Sequence, residues 1–229
     1  MCESGPSLVL NDILDVPQVH FRIWPTSGRT RGHILNEFCF LQEVLNKVGA
    51  VLWLDIQYTF KKRLPSHLLK RAERDGLVMW KVDHPTSSLT HQKMFDYFRV
   101  SQVYYYFHRM VESSHLILYN TETVHYRLML PWVRCALTLD CIAPIGSQRF
   151  GCRFNKKPLY RYSGCHRYDM SALNVVLGLM YNFDSHSYAA GDKDKFFGLV
   201  KQEFVSKTLQ HSSRENTTQF TDNKVHETT

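Results

Sequence analysis

Apolar positions near the start of the chain change from helical to strand-like spacing within a short stretch. From Ile34 to Val48 they recur at helical spacing, and Gly49 follows where a helix C-cap glycine is expected. The apolar run Val51–Leu54 comes next and ends in a carboxylate at Asp55. A short apolar run bounded in this way is typical of a buried strand. Residues 33–55 therefore predict helix, tight turn, buried strand and terminal acid, an αβ unit of a layered sheet.

The remaining pattern supports the same class of fold. Residues 76–80 and 115–119 are further strand candidates, and residues 122–139 have a helical pattern that Pro131 kinks or restarts. The segment Ala172–Tyr181 is apolar on nearly all sides, which indicates a buried helix.

Composition predicts three parts of the chain. Residues 1–32 are interrupted by prolines and glycines and predict an irregular segment of turns. Residues 33–205 hold the apolar pattern and predict one α/β domain. From 206 to 229 large apolar residues nearly vanish, so this polar tail is expected to be disordered.

The ends of the predicted strand and helix suggest two polar sites. In open α/β sheets ligands bind outside the carboxyl ends of strands, where Asp55 is placed. His166, Arg167 and Asp169 cluster before the buried helix, whose N-terminus has a partial positive charge. The alternatives are a solvated acid at Asp55, and a helix cap by Asp169 or Ser171 beside solvated neighbours.

Three stretches together resemble a known family. They are residues 49–55 (GAVLWLD), 131–144 (PWVRCALTLDCIAP) and 165–174 (CHRYDMSALN). Over about residues 33–190 their order and spacing resemble a poorly characterised animal family related to nucleotide-diphospho-sugar transferases of the glycosyltransferase A fold. The link from that family to glycosyl transfer rests on analogy of fold.

The resemblance implies a fold, a reaction and site residues. The fold is α/β, a partial glycosyltransferase-A-like (Rossmann-like) mixed sheet flanked by helices. The reaction is transfer of a hexose from a nucleotide-sugar donor to a glycan or protein acceptor. The implied residues are Asp55 and Asp169 as catalytic groups, Asp55 as a ligand of Mn²⁺ or Mg²⁺, and Trp53, His166, Arg167 and Asn174 as substrate-binding groups.

The chain departs from the pattern of such transferases in several places. Gln57 stands where an Asp-x-Asp motif has its second acid, and Met170 replaces Gln after Asp169. Only 54 residues precede Asp55, whereas a nucleotide-binding half needs about 80–100. The N-terminal nucleotide-binding half is therefore expected to be largely missing. Two hypotheses remain: a transferase or a truncated remnant of one, and a noncatalytic lumenal or secreted domain that binds glycan or protein.

The cysteines bear on location. Cys135, Cys141, Cys152 and Cys165 follow one another at spacings of 6, 11 and 13 residues, which do not match the close pairs of zinc sites. Disulfides in an oxidising compartment fit better, and three connectivities of the four are possible. Cys39 is expected to be a free thiol, and Asn216 begins a glycosylation sequon. Together with the resemblance, these residues predict the Golgi lumen or secretion.

Charge and hydropathy limit the partners. The net charge is +7, but the densest basic cluster, Lys61–Arg63, is three residues long, and no nucleic-acid-binding motif is present. No run approaches the length of a membrane span, and no signal peptide is evident. The expected partners are a nucleotide-sugar donor and a glycan or protein acceptor.

Overall fold

A computed structural model of the chain describes residues 8–9, 20–21, 31–55, 57–155, 157–191 and 193–200, with side chains from Phe40 onward. The side chain of Cys39, the sequon at Asn216 and the polar tail 206–229 lie outside the described residues. In chain order the elements are β1 (Leu8–Val9), β2 (His20–Phe21), α1 (Arg31–Val48), β3 (Ala50–Leu54), β4 (Tyr58–Phe60), α2 (Ser66–Asp75), β5 (Leu77–Pro85), α3 (Gln92–Tyr97), β6 (Arg109–Tyr119), α4 (Leu130–Leu137), α5 (Leu139–Ile142), α6 (Tyr168–Met180), β7 (Ala189–Ala190), α7 (Lys193–Phe196) and β8 (Phe197–Leu199).

A mixed sheet flanked by helices forms the centre of the described part. Its spatial order is β1-β2-β3-β6-β5-β7. Strand β3 is parallel to β2 and antiparallel to β6, while β5 is antiparallel to β6 and parallel to β7. A separate antiparallel ribbon joins β4 to β8. The expected α/β class with a mixed sheet is therefore confirmed.

The predicted αβ unit is present in α1 and β3. Gly49 ends the helix with a left-handed φ of 79°, and its amide donates a 3.0 Å hydrogen bond to Leu45 O. A left-handed residue at this position is the usual end of a helix and favours glycine. The chain then enters β3 directly and reaches Asp55 just after the C-terminal end of that strand.

The two faces of the sheet bury different apolar clusters. Val51 and Met79 face a large core that includes residues of α1, α3, α4 and α6. Leu52 and Trp80 face a smaller core formed with α2 and with Phe197 of the ribbon. This alternation follows from the period of two along a strand. Because both faces are covered, β3 and β5 have the continuous apolar character seen in the sequence.

Several element boundaries differ from the prediction. The helical pattern at 122–139 is a π-helical turn, Val124–Met129, followed by α4 with Pro131 in its first turn. Helix α6 begins at Tyr168 rather than Ala172, and Arg167 occupies the N-cap position without a side-chain cap bond. The predicted irregular segment 1–32 contains the short strands β1 and β2.

Two disulfides stabilise the region before α6. Cys135 pairs with Cys141 and Cys152 pairs with Cys165, with Cα–Cα distances of 5.2 and 4.9 Å. The prediction of a disulfide among these four cysteines is confirmed, and the structure selects one of the three possible connectivities. Disulfides are compatible with an extracellular or lumenal location. Among the described residues, the structure has no helix whose length and apolar character would let it cross a membrane.

Candidate functional site

Strand β6 has a bulge where it passes Asp55. Between the pairs Met79↔Leu116 and Lys81↔Val111, β5 advances two residues while β6 advances five. The extra residues include Glu112, a half-buried polar residue between two buried apolar stretches of the strand. A bulge redirects side chains that regular pairing would place on a sheet face. Here it presents consecutive polar residues, Glu112–Ser114, to a neighbouring cleft.

Asp55 is held at the end of β3 by backbone hydrogen bonds. Its amide donates to Ser114 O at 2.7 Å, and its carbonyl accepts from the amide of Tyr58 at 2.9 Å. The amide of Gln57 lies 3.4 Å from Asp55 Oδ1, as in an Asx turn. These contacts fix the position of the carboxylate where the chain leaves the sheet.

Asp169 reaches the same place from helix α6. Ser113 Oγ donates a 2.7 Å hydrogen bond to Asp169 Oδ2, and Trp132 Nε1 donates to Asp169 O at 3.1 Å. Adjacent serines of the β6 bulge therefore contact both acids: Ser114 by its backbone carbonyl and Ser113 by its hydroxyl. The sequence predicted that Asp55 and Asp169 face one cleft, and both line it in the structure.

The start of α6 is fixed by contacts with neighbouring segments. The amide of Arg167 donates to Leu89 O at 3.1 Å and lies 3.1 Å from Ser171 Oγ, which itself donates to Leu89 O at 2.8 Å. Tyr168 adopts a left-handed φ of 42°, an uncommon conformation for a bulky residue. Such backbone strain recurs at functional sites. Tyr168 and Asp169 line the cleft from this turn.

An ion pair ties the bulge to the segment that leads into β8. Lys193 Nζ donates to Glu112 Oε1 at 2.6 Å, and Ser114 Oγ donates to Glu112 Oε2 at 2.8 Å. Burial opposes ionisation of Glu112, but the bond from Lys193 and nearby charges outweigh it and lower the pKa. The same pair outweighs burial at Lys193 and raises its pKa. Both groups are therefore charged near neutral pH.

A further wall of the cleft is formed by Arg149 and Phe150, in the segment 148–152. Gln148 Nε2 donates to Gly164 O at 2.9 Å, and Gln148 O accepts from the amide of His166 at 2.7 Å. The disulfide from Cys152 to Cys165 joins the same two segments. The wall is thereby cross-linked to the residues that precede α6.

The cleft has a volume of about 850 Å³, within the size range of small-molecule sites. Its lining combines acids, arginines, hydroxyls, aromatic rings and a few aliphatic side chains. Those that could contact a ligand through polar or aromatic groups are Asp55, Gln57, Tyr58, His84, Glu112, Ser113, Ser114, Arg149, Phe150, Arg167, Tyr168 and Asp169. Acids and hydroxyls beside exposed rings can bind a polar molecule that also has apolar faces.

Three of the six residues proposed from the sequence for catalysis or substrate binding line the cleft: Asp55, Arg167 and Asp169. Trp53 does not line it. Strand alternation turns Trp53 toward the face of Val51, and its ring packs against the larger core.

His166 is a buried structural residue and does not line the cleft. Its Nδ1 accepts from the amide of His91 at 3.2 Å, and its Nε2 lies 3.1 Å from Ile142 O. These partners require a neutral ring with the proton on Nε2. Burial lowers its pKa to about 4. His166 connects the start of α3 to the end of α5.

Asn174 is likewise buried and faces β6 instead of the cleft. Its Oδ1 accepts from the amide of Val111 at 2.7 Å, and its Nδ2 donates to Val111 O and Met170 O, both at 2.8 Å. The Asn174 amide thus bonds both backbone groups of Val111, as the backbone of a neighbouring strand would. It holds α6 against β6 close to the bond between Ser113 and Asp169.

Sequence reasoning missed Glu112, Ser113 and Ser114 of the β6 bulge and Arg149 and Phe150 of the segment 148–152. The polar trio Glu-Ser-Ser between two apolar stretches is a sequence signal of a bulge. The prediction placed the strand at residues 115–119 only, so it did not include this trio. Arg149 and Phe150 lie in a loop without periodicity, and only long-range contacts place them.

Among the described residues, no group of three or more His, Cys, Asp or Glu side chains lies close enough to hold a metal ion. Gln57, two residues after Asp55, is neutral, Glu112 is paired with Lys193, and Asp169 accepts from Ser113. Mn²⁺ and Mg²⁺ favour several hard oxygen ligands. Binding of either ion at Asp55 stays a prediction.

Comparison of the chain with models of protein families, with curated proteins and with solved structures gave no match.

Proposed function

We propose that the protein is a nucleotide-sugar-dependent glycosyltransferase that transfers a hexose to a glycan or protein acceptor in this cleft, on a glycosyltransferase-A-like fold and in the lumen of the Golgi or outside the cell. One observation carries the proposal: Asp55 and Asp169, from two stretches that resemble the transferase-related family, line one cleft. The bonds through Ser114 and Ser113 fix both acids.

The proposed roles follow from the chemistry of the reaction. The acceptor oxygen attacks the anomeric carbon of the donor, the bond from that carbon to the diphosphate oxygen breaks, and the diphosphate leaves with the electron pair. Asp169 takes the proton of the acceptor hydroxyl as a general base. The hydrogen bond from Ser113 orients this carboxylate. Asp55, at the end of β3, binds the donor, and the aromatic rings Tyr58, Phe150 and Tyr168 contact the apolar faces of sugars or the base.

A noncatalytic glycan-binding domain is the second candidate. It is favoured by Gln57 and Met170, which occupy the cleft at the two positions where related transferases carry polar or acidic partners of Asp55 and Asp169. Such a domain would retain binding in the cleft and lack transfer. The two candidates therefore differ in turnover and agree in where the ligand binds.

Turnover distinguishes them. The purified 229-residue chain, with its disulfides formed, is incubated with nucleotide-hexoses and a glycan acceptor mixture, and hexose addition is followed by mass spectrometry. The proposal expects transfer that Asp169→Asn reduces about 100-fold or more, the typical contribution of a general base. Asp83→Asn is the matched control, since this β5 carboxylate is 96% exposed and does not line the cleft. Binding without transfer would favour the noncatalytic domain.

A further inference from the structure

Two arginines, Arg149 and Arg167, line the same cleft as the β6 bulge. We propose that they form an anion-binding wall that takes the diphosphate of the donor without a divalent cation. This inference rests on the proposed function, because it assigns the charged half of the ligand to particular residues of the same cleft.

The two arginines are placed by a common set of cross-links. Arg149 lies between Gln148 and Cys152, which are joined to Gly164 and Cys165 by a 2.9 Å hydrogen bond and a disulfide. Arg167 follows Cys165 by two residues, and its Nη2 lies 3.7 Å from Cys152 Sγ. Both arginines are partly buried. A backbone that cross-links already fix gives up less entropy on binding than a mobile loop does.

Arg149 and Arg167 supply the guanidinium groups of the cleft, and three carboxylates line it with them. Of its carboxylates, Glu112 is neutralised by Lys193 at 2.6 Å. Asp55 and Asp169 project from β3 and α6, and Ser114 and Ser113 of the bulge contact them. The guanidinium of Arg149 lies 5.8 Å from the centroid of the Phe150 ring. The wall from 149 to 150 thus presents a cation and an exposed aromatic ring side by side.

Guanidinium chemistry suits a diphosphate. Arginine is planar and always charged, and it can donate two parallel hydrogen bonds to a phosphate. The first turn of α6, a helix of 13 residues, also lines the cleft and adds partial positive charge. These groups would stabilise the charge that develops on a leaving diphosphate, a task that a metal ion performs in many such enzymes. In this cleft Gln57 is neutral where an Asp-x-Asp motif has its second acid, and Glu112 is paired with Lys193, so we assign that task to the arginines.

The direct test is calorimetric titration of the full chain with inorganic pyrophosphate in the presence of EDTA. The inference expects binding that Arg149→Gln and Arg167→Gln each weaken about tenfold or more, the usual effect of losing a hydrogen bond to a charged group. Arg153→Gln is the matched control, because this exposed arginine lies on the same disulfide-linked loop and does not line the cleft. Near-ultraviolet circular dichroism checks that each variant is folded.

Several outcomes would overturn the inference. One is the absence of pyrophosphate binding, and a second is binding that requires Mn²⁺ or Mg²⁺. A third is equal affinity of Arg149→Gln, Arg167→Gln and Arg153→Gln. If Arg167→Gln fails to fold, Arg167→Lys replaces it, because lysine keeps the charge but cannot donate two parallel hydrogen bonds to one phosphate. The affinity of Arg167→Lys for pyrophosphate is expected to lie between those of wild type and Arg149→Gln. Wild-type affinity of both Arg149→Gln and Arg167→Lys would also overturn it.

Parallel titrations separate this inference from the proposed function. A neutral hexose or oligosaccharide tests the sugar-binding half, which should be weakened by Asp169→Asn and unchanged by Arg149→Gln. Sugar binding without pyrophosphate binding would overturn the anion-binding wall and leave the proposed function standing. Binding of glucuronate in place of pyrophosphate would show that the arginines recognise an acidic sugar, which also contradicts the diphosphate assignment.

Discussion

Ser113 on β6 donates a 2.7 Å hydrogen bond from its hydroxyl to Asp169 Oδ2 at the start of α6. This bond crosses from the central sheet to the helix layer at the cleft. The next residue, Ser114, accepts from the amide of Asp55 at 2.7 Å. The relative position of the two acids therefore depends on one bulge in one strand.

Removing that hydroxyl should weaken ligand binding in the cleft. Ser113→Ala leaves the Asp169 carboxylate without the donor that orients it, so ligand affinity in the cleft should fall about tenfold, the value of one hydrogen bond to a charged group. Calorimetry with a nucleotide-hexose measures the change. Ser187→Ala is the control: its hydroxyl bonds Asp184 outside the cleft, and its affinity should equal that of wild type. Unchanged affinity of Ser113→Ala would remove Ser113 from the site.

Asn174 should matter for stability. Asn174→Ala removes three hydrogen bonds, two of them buried, and leaves the amide and carbonyl of Val111 without their Asn174 partners. The expected loss in the free energy of unfolding is about 3 kcal/mol or more. Urea denaturation measures it, with Asn120→Ala, an exposed asparagine, as the control expected within about 0.5 kcal/mol of wild type. A loss of under about 1 kcal/mol at Asn174 would contradict its role as a clamp.

The two disulfides should have different effects on the cleft. Closing loops of 13 and 6 residues stabilises the fold by about 3 and about 2 kcal/mol in the chain-entropy model. The bridge between Cys152 and Cys165 holds the segment that contains Arg149. The double variant Cys152→Ala/Cys165→Ala should therefore also bind ligand more weakly, at a temperature where the variant remains folded. Cys135→Ala/Cys141→Ala should lose stability without a comparable loss of affinity. Equal affinities of the two double variants would contradict this account of the wall.

Acid should destabilise the protein. Burial lowers the pKa of His108, His115 and His166 to about 4. The unfolded chain, with histidine pKa values near 6.5, takes up protons that the folded state does not. The free energy of unfolding should therefore fall as pH falls from about 6.5 to 4, by at most about 3 kcal/mol for each histidine. The pKa of Glu112 is lowered in the folded state, so the free energy of unfolding should continue to fall at pH values below the pKa of Glu112 in the unfolded chain.

Urea denaturation between pH 7.5 and 4.5 measures this dependence. His108→Gln should flatten the slope by about one third, because it removes one of three buried neutral histidines. A free energy of unfolding that stays constant over this range would show that the three histidines titrate normally.

The αβ unit was predictable because three local signals agree there. The helical stripe of α1, the left-handed Gly49 and the apolar β3 each depend on neighbouring residues alone. The disulfides were predictable as a class from spacing, while their pairing depends on the folded path of the chain.

The walls of the cleft were not predictable in the same way. Strand β6 breaks its apolar pattern at Glu112–Ser114, so its first half does not resemble a strand. Asp169 and Asn174 are both polar residues of one helix, and only the packing of α6 decides which faces the cleft and which faces β6. Arg149 reaches the cleft through contacts with residues that follow it by about 15 positions, which no local pattern encodes.

The most direct test of the central claim, that Asp55 and Asp169 form one donor-binding cleft, is calorimetric titration with a panel of nucleotide-hexoses. Wild type, Asp55→Asn, Asp169→Asn and the control Asp83→Asn are compared at equal ionic strength. The account predicts that at least one nucleotide-hexose binds, that Asp55→Asn and Asp169→Asn each weaken it about tenfold or more, and that Asp83→Asn leaves it unchanged. Absence of binding to every nucleotide-hexose, or equal affinity in all four proteins, would contradict it.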